Sequence, residues 1–236
     1  MQNTSNFSDG RQLTAWAAII AAILAWACAG FYAAATGGDF GMVLRPAEFL
    51  ALPTTAIDQF WLAMILDCLG FYLPFLIIGA YFWARLRPEH GVPMDMALLC
   101  IVVYVILGTA GAGIQFSTLH PLVVAHALGD SMSQTASEKA WLAISHAAQG
   151  LWKLEGPVMG LWGVLVGRAI HRSGMPFGRL LMFIGLCYAT AFVTSVLGLT
   201  AVFELVQLIF ILLLPLWALL TGIHLLRNPS FGVTHE

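Results

Sequence analysis

Long apolar stretches, broken by short polar or Gly/Pro-containing turns, dominate the chain. Six of them, at about 13–35, 60–83, 94–116, 140–166, 177–199 and 202–223, reach the roughly 20 residues that a helix needs to cross the hydrocarbon of a bilayer. None alternates apolar and polar residues with a period of two, which excludes a transmembrane β-barrel. The breaks carry turn chemistry: Thr36-Gly37-Gly38, Arg87-Pro88, Gly91-Val92-Pro93, Ser173-Gly174-Met175-Pro176 and Asn228-Pro229. Gly198 and Thr200 mark a tight hairpin between the fifth and sixth runs. The pattern predicts an all-α integral membrane protein: one polytopic domain over 1–236, folded as a six-helix transmembrane bundle.

Composition agrees. Of 236 residues, 60% are apolar and only 9% charged, where a soluble domain carries about 25%. The net charge of −2 and the lack of any basic stripe argue against a nucleic-acid partner. Membrane lipids are the expected surroundings. The first run is too long for the apolar core of a secretory signal (about 7–15 residues) and is preceded by Asp9 and Arg11 rather than a basic cluster, so it reads as a retained helix. Cys28, Cys68, Cys100 and Cys187 lie singly in separate runs and read as small buried apolar side chains.

Basic residues set the orientation. Arg11, Arg85, Arg87, Arg168, Arg172, Arg179 and Arg227 fall on one side, Arg45 and Lys139 on the other, and Lys153 inside a run. Seven against two predicts N-in and C-in in a cytoplasmic membrane of bacterial type. Short interfacial segments are expected on the outer face, Met42–Leu52 lying along the interface and Pro121–Leu128 folding back as a short cap. Thr135-x-x-Glu138 reads as a capping box opening the fourth span.

The informative residues are those that a bilayer rejects: Asp67 in the second run, His146, Lys153 and Glu155 in the fourth, Glu204 and Gln207 in the sixth. At helical spacing His146, Gln149 and Lys153 share one stripe with Gly156, Gly160, Gly163 and Gly167. That stripe is expected to face the bundle interior, because small residues permit close helix approach and polar groups avoid lipid. Glu155 lies on the other side and needs a different neighbour. Pro74, Pro157 and Pro215 each free one carbonyl inside a run, tolerated at membrane depth where it lines a cavity or binds a partner.

Counted from the starts of their runs, Asp67 and His146 lie at similar depth, roughly 10 Å in. They are therefore expected to form a hydrogen-bonded pair at the centre of an outward-facing cavity, with Lys153 at its floor and Glu204 at its rim. Asp67, His146, Lys153 and Glu204 are the candidate catalytic groups; Gln149, Glu155 and Gln207 are candidate substrate-binding groups. His120, His126 and Asp130, with His146, lack the fixed spacing of a metal motif, and neither a metal nor a cofactor is expected.

An Asp in the second span, a His early in the fourth, Gly160-Leu161-Trp162, then Arg172-Ser173-Gly174 and Pro176 before the fifth span form a pattern. It resembles the bacterial six-span family filed as domain of unknown function 4386. The resemblance covers spans two to five best. It implies the topology and gives weight to Asp67 and His146; the family is itself uncharacterised and implies no activity. Three functions stay open: acid–base handling of a lipophilic or amphiphilic small molecule, proton-coupled transport, or a non-catalytic accessory subunit whose polar cluster serves assembly with partner membrane subunits.

Overall fold

Glycine turns separate the helices at positions 37–38, 91, 174 and 198, whereas Pro88 of the expected Arg87-Pro88 break lies inside a helix. In the computed structural model, which describes residues 3–228, eight α-helices carry nearly the whole chain, and no strand occurs among the described residues. They are α1 (Asn3–Thr36), α2 (Pro46–Leu50), α3 (Thr54–Asp67), α4 (Leu73–His90), α5 (Val92–Leu128), α6 (Ser131–Arg172), α7 (Gly178–Val196) and α8 (Thr200–Arg227). Five stretches are long and apolar enough to cross a membrane: 10–36, 54–90, 92–128, 178–196 and 200–227. The fourth expected span, within α6, is not among them; Lys153, Glu155, Pro157 and several glycines dilute its hydropathy. Residue 229 of the expected Asn228-Pro229 break lies outside the described residues.

Two glycines with positive φ make the sharpest reversals. Gly91 (φ 59°) joins α4 to α5 with no intervening loop, and Gly198 (φ 70°) turns α7 into α8, the tight hairpin read from the sequence. Phe177, which precedes α7, also adopts φ 69°, a left-handed conformation unfavourable for a side chain of this size. At the first helix, Arg11 is buried and donates to the Leu225 carbonyl, fastening α1 to α8.

Helix α3 does not end at Asp67 but widens. Residues Cys68–Tyr72 form a π turn closed by the Leu73 N–H on the Cys68 carbonyl, and α4 resumes the rod. The wide turn absorbs Pro74, which has no N–H to give.

Three expectations about the outer segments are corrected. Residues 121–128 do not fold back as a cap: Pro121 sits inside α5, which runs on unbroken. The helix that carries the fourth run starts at Ser131 and is capped by Asp130, whose carboxylate accepts the Ser133 N–H at 2.9 Å and is held below the ordinary carboxylate range chiefly by that bond. Thr135 lies inside the helix, bonded to the Ser131 carbonyl, and Glu138 pairs with His126 at 3.2 Å, so there is no capping box. The segment expected to lie along the interface instead packs on the bundle. A 3-10 turn (Phe40–Leu44) and α2 bury Val43, Phe49 and Leu50, Trp141 Nε1 donates to the Val43 carbonyl at 3.0 Å, and Phe49 stacks on Trp141 at 4.9 Å.

The hairpins differ in height. Helices α5 and α6, at 37 and 42 residues, are about 55 and 63 Å long, close to twice a bilayer's hydrocarbon thickness. Helix α7 has only 19 residues, about 28 Å. It packs on α6 through glycines: Gly156 faces Phe192 and Tyr188, Gly160 faces Gly185 and Ala189, Gly163 faces Leu181 and Gly185, Gly167 faces Gly178 and Met182. Continuing that register, α7 ends level with Trp152 and Lys153. The part of α6 before that point stands beyond the α7–α8 hairpin, packed against α5 and capped by residues 40–50.

Candidate functional site

Asp67 is the last residue of α3 before the π turn and is buried in the bundle. Its position follows from close approach: Gly70, three residues on, meets the backbone of α1 so tightly that a Cβ there would stand 2.4 Å from Ala25 N. That contact brings Cys28 Sγ to 4.0 Å from Asp67 Oδ1. Glu155 approaches from α6 and is equally buried, with Oε1 lacking a hydrogen-bond partner among the described residues. The Tyr72 side chain, from the end of the π turn, stands beside both carboxylates, placed to donate to either.

Two further tyrosines complete the group. Tyr104 of α5 is fully buried, 5.1 Å from the Tyr72 ring between centroids. Its hydroxyl lies 3.5 Å from that of Tyr188 on α7, whose ring stacks on Phe210 of α8 at 3.9 Å. Room for Tyr72 is made by Gly108, where an added Cβ would lie 1.9 Å from the ring. The cluster thus draws one residue from each of α3, the π turn, α5, α6 and α7, and no Lys, Arg or His joins it among the described residues.

Aromatic layers lie to either side of the cluster along the bundle, the one at Trp141 about 21 Å from Glu155 along α6. On one, Phe75, Phe82, Trp162 and Trp217 are fully buried and pack edge-on or tilted at 5.9–6.1 Å. On the other, Phe49, Phe60 and Trp141 form a fully buried triad at 4.9–6.1 Å. Two surface clefts, one lined by Arg85, Leu86, Glu89, Arg172 and Ser173, the other by Ser131, Met132, Thr135, Ala136 and Lys139, lie away from the acids.

The expected Asp67–His146 pair is not formed. His146 is exposed on α6, whereas Asp67 is buried beside Tyr72, which also stands beside the buried Glu155. The pairing failed on facing, not depth: counted from the helix starts at Thr54 and Ser131 the two residues still lie at similar depth, but His146 is on the exposed side of α6 while Asp67 is buried. The stripe on α6 is likewise split. Its glycines face α7 as expected, but His146 and Lys153 are exposed and Gln149 is half-buried. Lys153 does not floor a cavity. It is exposed near the level where α7 ends. Glu204 is exposed and Gln207 half-buried near the start of α8, so neither rims the acid cluster.

Of the seven sequence candidates the structure therefore gathers two, Asp67 and Glu155. Sequence reasoning missed Tyr72, Tyr104, Tyr188 and Cys28. Three of the chain's five tyrosines converge here, and a tyrosine inside an apolar run, whose hydroxyl needs a partner when buried, was the signal that pointed to them. No group of three or more His, Cys, Asp or Glu able to hold a metal occurs among the described residues. No family model, curated protein or solved structure matches the chain.

Proposed function

We propose that this chain is a proton-coupled carrier of a small lipophilic or amphiphilic molecule, with the Asp67–Tyr72–Glu155 cluster as its proton-binding centre. One observation carries the reading: two carboxyl groups share a buried site with three tyrosines and no basic side chain. A buried carboxylate needs a countercharge, and two that share a site cannot both ionise without one. Protons are the countercharge available, and Tyr72 is placed to pass one between the acids. The π turn supports the same reading, since such turns interrupt the regular ladder and concentrate at functional sites. The aromatic layers above and below favour transport over catalysis at an open pocket: an occluded site exposed alternately to each side is what coupling requires.

The bundle is read as six spans, with residues 150–172 of α6 as the fourth. Helices α5 and α7 both cross, and α6 runs antiparallel to each and must return the chain. The seven-to-two division of basic residues places both termini and the 168–179 turn on the cytoplasmic side of a bacterial cytoplasmic membrane. A cysteine at Ser133 should then label from outside intact cells and one at Ser173 only after permeabilisation; the reverse pattern inverts the topology. The proposed kinship with the six-span family of domain of unknown function 4386 rests on motif placement alone and adds no activity.

The test of function is proton binding. In proteoliposomes shifted from alkaline to neutral pH, wild-type protein should take up protons from a reporter buffer. Asp67→Asn and Glu155→Gln should each remove part of that uptake, and the double variant all of the component assigned to the site. Uptake unchanged in the double variant would reject the reading. The isosteric amides leave packing in place, so insertion and folding serve as the control.

A further inference from the structure

The seam between α5 and α6 carries a second set of buried polar groups that the acid cluster does not use. Gln115 is 1% exposed, and neither its Oε1 nor its Nε2 has a hydrogen-bond partner among the described residues. Ser145 is fully buried with Oγ unpartnered, and the buried Nε1 of Trp152 is unpartnered too. Buried polar atoms are almost always satisfied, by protein or by ordered water, and a cluster of exceptions calls for a common cause.

Their placement supplies it. Along α5, Tyr104, Gly108, Gly111 and Gln115 lie on one face; along α6, Ser145, Ala148, Trp152 and Glu155 do, all by i+3, i+4 or i+7 spacing. The faces meet antiparallel. Gly111 stands against the Trp152 indole, 2.8 Å from Nε1 to an added Cβ, and further out His126 meets Glu138. That register sets Gln115 opposite Ala148. The polar heads then follow in order from Ser145 to Gln115, Trp152 and Glu155, with axial steps of about 4.5, 6 and 4.5 Å. One water bonded at both ends spans about 5.5 Å, so each step is close to the reach of a single water.

We infer that Ser145, Gln115 and Trp152 hold a column of bound water that runs from beneath the Phe49–Phe60–Trp141 layer to the unpartnered Oε1 of Glu155. The column rests on the proposed proton-binding role, for which it is the supply route. It gives the site one hydrated side, since the opposite side is the apolar layer of Phe75, Phe82, Trp162 and Trp217. Gln115 is the central member: its amide both donates and accepts, so it bonds water on either hand. Beside Glu155 the column meets Asp67, Tyr72, Tyr104 and Tyr188, and no other titratable side chain is part of it.

The test reads hydration directly and does not depend on how the acids titrate. In protein labelled with 15N-tryptophan in nanodiscs, assigned by Trp152→Phe and Trp141→Phe, the Trp152 indole N–H should exchange with water at least tenfold faster than that of Trp141, which is bonded to the Val43 carbonyl. Gln115→Met, close in volume, should slow the Trp152 exchange about tenfold, and Ser145→Ala, the milder change, should slow it measurably if Gln115→Met fails to fold. His146→Ala, on the exposed face of the same helix, should leave it unchanged. A Trp152 indole as protected as Trp141 in the wild type, or exchange indifferent to both seam substitutions, overturns the column while leaving proton binding at Asp67 and Glu155 standing. Fast Trp152 exchange together with no proton uptake by the acids would do the converse.

Discussion

Gly70→Ala should be among the most damaging single substitutions in the protein. The added methyl would stand 2.4 Å from Ala25 N, 2.8 Å from Ala25 Cα and 2.8 Å from the Leu24 carbonyl carbon, all backbone atoms of α1. No rotamer change relieves such a contact; α1 must move away from the π turn. Overpacking of a filled interior costs about 1–3 kcal/mol, and a backbone-to-backbone clash belongs at the upper end, near 3 kcal/mol. The displacement also separates Cys28 from Asp67. In a background where Cys68, Cys100 and Cys187 are serine, Cys28 should therefore gain reactivity toward a thiol reagent as thermal stability in detergent falls. Gly30→Ala provides the control: it lies on α1, the helix that Gly70 presses against, with nothing within 4 Å of the added methyl, so it should change neither property.

The second large effect is expected between α6 and α7. Gly163→Val places branched carbon where a Cβ alone would already lie 2.8 Å from Gly185 Cα, 3.0 Å from the Leu181 carbonyl oxygen and 3.1 Å from Gly185 N. Two helices that meet through glycine on both sides lose their close approach, and with it the dispersion contacts that hold helices together in lipid. The loss should be about 3 kcal/mol or more. Tyr188 moves with α7, so its hydroxyl leaves Tyr104 and the far wall of the acid cluster opens. Disulfide trapping between cysteines placed at Gly160 and Ala189, efficient in the parent, should fail when Gly163→Val is added. Gly150→Ala, with open space around it, should be silent in the same assay.

The helical class, the hairpin at Gly198 and the glycine face of α6 were legible in the sequence because each follows from local pattern: run length, turn residues, and small residues at helical spacing. What failed was facing. Asp67 and His146 lie at similar depth, counted from the helix starts as from the runs, but His146 is on the exposed side of α6 and Glu155 on the buried one. His146 and Lys153 share a stripe with the glycines, but α7 is too short to cover the stripe along its whole length, and only the glycines meet it. Glu155 was seen to need a neighbour of its own. The neighbour, Tyr72, is supplied by a π turn that no spacing rule in the sequence announces.

The same geometry explains why the protein carries so few charges inside. Its buried acids lie among phenols and indoles, and Arg45 and Lys139 stay exposed; Arg45 is paired with Asp39 and Glu48 at 2.6 and 2.9 Å. The Arg45 guanidinium holds the Asp39 carboxyl below its ordinary range. That exposed bridge is present at neutral pH, above the unfolded value, and is lost as pH falls through the lowered folded one. Acidification therefore loosens this surface bridge, a response of Asp39 that is separate from that of the interior acids.

Infrared spectroscopy of the wild-type protein in lipid, at neutral pH, tests the central claim most directly. A protonated buried carboxyl group shows a C=O stretch set apart from ionised carboxylates. The band should be present at neutral pH and vanish in the Asp67→Asn/Glu155→Gln double variant. A wild-type spectrum without that band, both acids being ionised at neutral pH, would contradict a proton-binding centre at Asp67 and Glu155.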